Sequence, residues 1–357
     1  MRNLDGLTAK QILANHLPES LFSRFPADAK QEYRSLALNW HPDNCRSPEA
    51  AEVFAHIALL YKEAIRKQES RTWEEPCQKI EEEKAGVKMF RLENGAVKSL
   101  DYRAARSFEL GTMYIGENHV IYEVRTEYTD LFHNARRQIG RLSFKDEAMA
   151  IEMSNFLPQV LEAFRSTNAN VLVLRKTPDQ LLLADVLAHY SERIEPIEHV
   201  GWIVNVLFNI ACYLDWSGVT HNAISPETFF ISPLRHSGML LGGWWYACPV
   251  GRTMTALPSS SLKFIPENIV REKKASVCSD LELIKAIGRT VLGDPVGAKL
   301  QFDDSIPSRI TECLRMPSIG RAIEDYKDWK YEVLENCFGR PTFIEMCLTS
   351  KDIYKEN

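Results

Sequence analysis

No two of the eight cysteines in this 357-residue chain stand as a CxxC pair, and none joins a histidine at zinc-finger spacing. That excludes a zinc module and a dithiol redox centre of the usual spacing. The expectation is reduced, mostly buried thiols in a cytoplasmic protein. Positive charge is not in excess either: the formal net charge is −5, which gives no reason to expect nucleic acid as a partner. The opening residues, MRNLDGLTAKQ, hold no apolar signal core. The most apolar run, HVGWIVNVLFNIACYLDW at 199–216, is interrupted by Asn205 and Asn209 and is short for a bilayer. It reads as a buried helix, with no membrane involved. The lack of targeting signals and the compact build point to the cytoplasm of a bacterial or phage-infected cell. No metal and no cofactor is expected.

What is present suits packed domains. Apolar residues make up 45% and charged residues 25%, so a core is within reach almost throughout, and the length predicts two domains. Thr8 and Gln11 have capping-box spacing and start a first short helix. A second helix is predicted from about Asp28 to Trp40, where Tyr33, Leu36, Ala37 and Trp40 form one apolar stripe. Lys30 and Arg34, four apart, share another face. Pro42 disfavours helical geometry at His41 and ends the helix. Ser47-Pro48 marks the start of a third helix running to about Lys67, with Phe54, Ile57, Tyr61 and Ala64 as its stripe. The two stripes predict an antiparallel hairpin, closed into a core by the first helix.

Residues 1–68 resemble a J-domain, the module of DnaJ-type co-chaperones. Tyr33, Arg34, Leu36, Ala37, Trp40, His41, Pro42 and Asp43 fall in register with that family's second helix and its His-Pro-Asp tripeptide, and Phe54, Ile57 and Tyr61 with its third helix. The resemblance implies a rigid loop presenting His41 and Asp43 to a DnaK-type (heat-shock) chaperone, with Lys30 and Arg34 meeting acidic surface. Asn44 and Leu38 stand where family members often carry basic residues, which implies weaker affinity for the chaperone. The plain alternative is a helix end whose carbonyls meet His41, with Asp43 in a turn.

Residues 69–86 are charged and contain Pro76, as a linker would. From 87 to 357 strand signals come first, including a hairpin around Asn94-Gly95 and strands on either side of Gly116-Glu117-Asn118. The stretch DLFHNARRQIGRLSF is ambiguous, NVLVLRK is a strand, and the chain is mainly helical from about 180. The fold class is therefore α+β, with a small β-rich lobe and a larger helical lobe after the N-terminal helices.

Part of this second segment resembles a protein kinase. His221, Pro226 and Glu227 match the catalytic loop, Pro266-Glu267 the Ala-Pro-Glu motif, Asp280 a helix aspartate, and Arg340-Pro341-Thr342-Phe343 a late motif. The resemblance implies a buried ion pair between Glu267 and Arg340. At the catalytic positions the chain has Ala223, Ser225, Thr228 and Gly242. None supplies the carboxylate base or the metal ligands that phosphoryl transfer needs, and a base alone contributes on the order of 100- to 10,000-fold. There is no GxGxxG, and Lys145 is the sole lysine between 117 and 150. Arg136 or Arg137 as a phosphate contact competes with plain exposure. His221 is expected to hold the loop, Trp244 and Trp245 to pack in the core or stack on a ligand, and Ser259 to Ser261 to form a flexible loop.

The leading expectation is a co-chaperone without an active site of its own, whose kinase-like domain binds an unidentified client protein. Two alternatives stay open: an atypical enzyme binding nucleotide through the Gly242–Trp245 region, and an assembly element with a J-like hairpin.

Overall fold

The computed structural model describes residues 8–13, 15, 17–23, 26–42, 44–45, 47–69, 86–190, 192–340 and 342–354. The chain divides into two compact units, Met1–Glu81 and Glu82–Asn357. Most of the expected linker, 70–85, lies outside the described residues, as do Asp43 and Pro341.

The first unit has helices α1 (Ala9–Leu13), α2 (Pro18–Leu21), α3 (Pro26–Trp40) and α4 (Ala50–Glu69). The capping box is present. The Thr8 N–H donates to Gln11 Oε1 at 2.9 Å, and the Gln11 N–H donates to Thr8 Oγ1 at 3.4 Å. The two long helices run antiparallel, because His41 after α3 meets Phe54 early in α4 while Tyr33 stacks on Tyr61 further on, at 4.2 Å. Leu36, Val53, Ile57, Leu60 and Ala64 are buried between them, and Ile12 of α1 closes the core. Helix α4 begins at Ala50, two residues past the expected Pro48, and in the turn before it Ser47 Oγ accepts the Glu49 N–H at 3.4 Å.

The second unit is α+β, a β-sheet lobe followed by a helical region. Strands β1 (Gly86–Arg91) and β2 (Val97–Tyr102) form the hairpin around Asn94-Gly95. A five-stranded antiparallel sheet follows, built from β3 (Ala104–Phe108), β4 (Gly111–Ile115), β5 (His119–Arg125), β6 (Val160–Arg165) and β7 (Ala169–Arg175), in the order β3-β4-β5-β7-β6. Helices α5 (Thr129–Ile139) and α6 (Glu147–Met153) interrupt it. The ambiguous DLFHNARRQIG stretch is thus mostly helical, while VLEAFR, grouped with a helix in the sequence, is strand β6. Alternation along β5 feeds two cores: Val120, Tyr122 and Val124 face the main one, and Ile121 joins Phe90, Tyr114 and Val173 beneath the β1–β2 hairpin.

The helical region begins with β8 (Leu181–Leu182), α7 (Leu183–His189) and α8 (His199–Trp216). Helix α8 is the buried one expected: Ile203, Val204, Leu207, Phe208 and Ile210 have no exposed surface. Short strands β9 (Val219–Thr220), β10 (Phe229–Ser232), β11 (Ser237–Leu240) and β12 (Cys248–Pro249) frame the loops that follow. Helices α9 (Glu267–Glu272), α10 (Val277–Val291), α11 (Ser308–Arg315), α12 (Ala322–Lys327), α13 (Glu335–Phe338) and α14 (Ser350–Ile353) complete it, with a π-helical turn, Asp328–Leu334, joining α12 to α13.

The expected buried pair of Glu267 and Arg340 does not form. Both residues are exposed, and no ion pair joins them among the described residues. Glu267 opens α9, where its charge favours the helix N-terminus while staying solvated, and Arg340 lies in irregular chain after α13. A buried pair is found instead between Lys285 of α10 and Asp325 of α12, 3.3 Å apart, with Lys285 also donating to the Met316 carbonyl at 3.0 Å. The Ser259–Ser261 stretch is a short 3-10 turn, and Ser261 is buried.

Candidate functional site

Two places gather the residues singled out by sequence. The first is the corner between α3 and α4. The helix ends at Trp40, and the His41 carbonyl accepts the N–H groups of Asn44 and Cys45, both at 2.8 Å. The Asn44 side chain donates to the Leu38 carbonyl at 3.3 Å. These bonds satisfy helix-end acceptors and fix the turn, while Pro42 sets its own backbone angle. Pro42 is exposed. His41 is half-buried, its ring edge-on to Phe54 with centroids 5.1 Å apart. The imidazole is therefore held at the corner by α4. Lys30 and Arg34 are exposed one turn apart on α3.

The second place is the loop after β9 and the residues it meets. Asp280, in the first turn of α10 and 2% exposed, accepts the backbone N–H of His221 and of Asn222, both at 2.7 Å. Asn222 has a left-handed φ of 61° and donates its amide to the Tyr246 carbonyl at 3.1 Å. His221 is fully buried; its Nε2–H donates to the Gly242 carbonyl at 2.9 Å, and its ring stands edge-on to Trp244. Burial pulls its pKa down to about 3, so the imidazole is neutral and structural. Burial pushes Asp280 up to about 7, against the two N–H donors that favour its ionised form. Thr228 Oγ1 donates to the Ala223 carbonyl at 2.8 Å and accepts the Ser225 N–H at 2.9 Å. The five loop positions, His221, Ala223, Ser225, Thr228 and Gly242, are thus brought together. Of their side chains, His221 bonds the Gly242 carbonyl through Nε2, and Thr228 bonds the backbone of Ala223 and Ser225.

The glycines are there for contact. A Cβ on Gly243, whose φ is 80°, would meet His221 Cε1 at 2.6 Å, and one on Gly242 would sit 3.0 Å from Thr228 Cα. A side chain at position 242 would press on Thr228 and on the Tyr122 hydroxyl, each 3.0 Å from its Cβ.

Above the loop, an aromatic cluster occupies the space between sheet and helices. Trp245 stacks on Phe108 at 5.3 Å and meets Tyr122 edge-on at 5.0 Å. Trp244 and Trp245 are 1% and 3% exposed, so both belong to the core. The Tyr246 hydroxyl donates to Glu109, at the turn between β3 and β4, at 2.9 Å. That bond fastens the tip of the first sheet hairpin onto the Gly242–Tyr246 segment. The Tyr122 hydroxyl is buried without a hydrogen-bond partner among the described residues, and burial raises its pKa.

Sequence reasoning missed a pocket of about 270 Å³ lined by α5 and residues 245–256. Arg137 lines it and Arg136 does not. Its walls lie more than a hundred residues apart in the chain, and only the arginine pair hinted at it. No group of metal-binding side chains occurs among the described residues. No helix is long and apolar enough to cross a membrane among them. A scan against protein-family models returned no match to this chain, and a search of curated proteins returned no relative.

Proposed function

We propose that the chain is a J-domain co-chaperone whose second unit is a kinase-like fold without phosphotransfer chemistry. The carrying observation is the corner at His41-Pro42: it sits at the head of an antiparallel helical hairpin whose packing residues include Tyr33, Leu36, Trp40, Ile57 and Tyr61, all in register with the J-domain pattern. A DnaK-type chaperone in its ATP state is the partner, with His41, Pro42 and Asp43 as the contact and Lys30 and Arg34 steering approach through charge. The second unit, a β-sheet lobe followed by helices, holds the client. Its reading as kinase-like draws support from Asp280 seated on the His221 loop. The positions that would carry a base and metal ligands hold Ala223, Thr228 and Gly242, and the aromatic cluster fills the cleft above them, which weighs against a nucleotide-binding enzyme.

The test is the steady-state ATPase rate of a DnaK-type chaperone with purified protein added. Stimulation by the native chain and none by His41→Gln is the expected result. Equal stimulation by both, or by neither, overturns the assignment, and the second outcome is the one an assembly element gives.

A further inference from the structure

The pocket between α5 and residues 245–256 is lined by three arginines: Arg137 of α5, Arg141 in the turn just after that helix, and Arg252. No carboxylate lines the pocket. Arg137 donates to the Asn134 side-chain oxygen at 2.7 Å, whereas no side-chain hydrogen bond or ion pair involves Arg141 or Arg252 among the described residues. Thr253 and Thr255 add hydroxyls to the lining, and Lys274 lies next to Gly251 behind the wall.

We propose that this pocket binds a small phosphate-bearing anion, the phosphate meeting Arg137, Arg141 and Arg252. The volume is near the small end of ligand pockets, which start at about 300 Å³, and it suits a compact metabolite. Guanidinium groups match phosphate oxygens in pairs. The inference stands apart from the co-chaperone reading, since neither unit's resemblance enters it.

Titration calorimetry of the full chain with glycerol 3-phosphate, inorganic phosphate and glycerol tests it. Glycerol 3-phosphate and inorganic phosphate both bind, more weakly as salt rises, and glycerol does not. The combined substitution Arg137→Gln, Arg141→Gln and Arg252→Gln abolishes binding, and each single change weakens it about 10-fold. All three arginines are exposed, so the variants should melt as the native protein does. Absence of binding by either phosphate, or binding unchanged in the triple variant, overturns the site.

Discussion

The Asp280 carboxylate accepts the His221 backbone N–H at 2.7 Å across 59 residues of sequence, and with its other oxygen holds Asn222 at the same distance. A loop turned through a left-handed residue would otherwise bury two donors. Replacing Asp280 with alanine leaves both without a partner, at about 1–3 kcal/mol each. Urea denaturation of Asp280→Ala should therefore lose about 2–6 kcal/mol.

The same carboxylate gives a pH signature. Its pKa rises from 3.8 to about 7 on folding because burial disfavours the charge. Between those values the native state keeps a proton that the unfolded chain has released, so this group's contribution to stability falls as pH rises through the window. Asp280→Asn, which cannot titrate, should flatten that part of the stability–pH curve. An unchanged slope would show that the two N–H donors already hold the group ionised.

Gly243 tests the tight packing under the aromatic cluster. Its φ of 80° and the 2.6 Å approach of His221 Cε1 to a Cβ make Gly243→Ala strained in both backbone and contact. The φ alone costs about 1–3 kcal/mol, and the clash adds to it. The melting temperature should drop. A variant as stable as the native chain would mean that the His221 loop yields.

Lys285 and Asp325 carry the ion pair of the α10–α12 contact, with side chains 4% and 9% exposed. Lys285→Met strands the Asp325 charge, although Ser318 still donates to it. Breaking one side of a buried pair costs about 3–5 kcal/mol. The double change to Met at 285 and Leu at 325 should recover most of that loss, again by urea denaturation.

The helical hairpin of the first unit was legible because its signals are local. Leu36, Ile57 and Ala64 repeat at helical spacing, Thr8 and Gln11 cap one another three residues apart, and Pro42 stops α3. Helix α5 was less so, since its buried face includes the polar Gln138 beside Phe132, Ala135 and Ile139, and two buried apolar turns look amphipathic only when Gln138 is counted with them. Strand β3 was missed because it follows β2 after the single residue Arg103, without a Gly or Pro to mark the break. Pairing over long separations is what periodicity cannot encode. Motif resemblance placed Asp280 on a helix without naming what it holds, and it matched Glu267 with Arg340. Asp280 is packed under the His221 loop, while Glu267 and Arg340 keep their water. Of the pocket arginines the sequence singled out only Arg137, paired with Arg136; Arg252 is too far along the chain for spacing to join it to them.

Asn134 joins α5 to the carbonyls of Trp245 and Ala247 with a single amide group. Helix α5 cannot swing outward without releasing both carbonyls, and those flank the ring stacked on Phe108. The helix and the aromatic plug therefore behave as one foldon, opening together or staying shut together, and their amide protons should exchange with a common free energy.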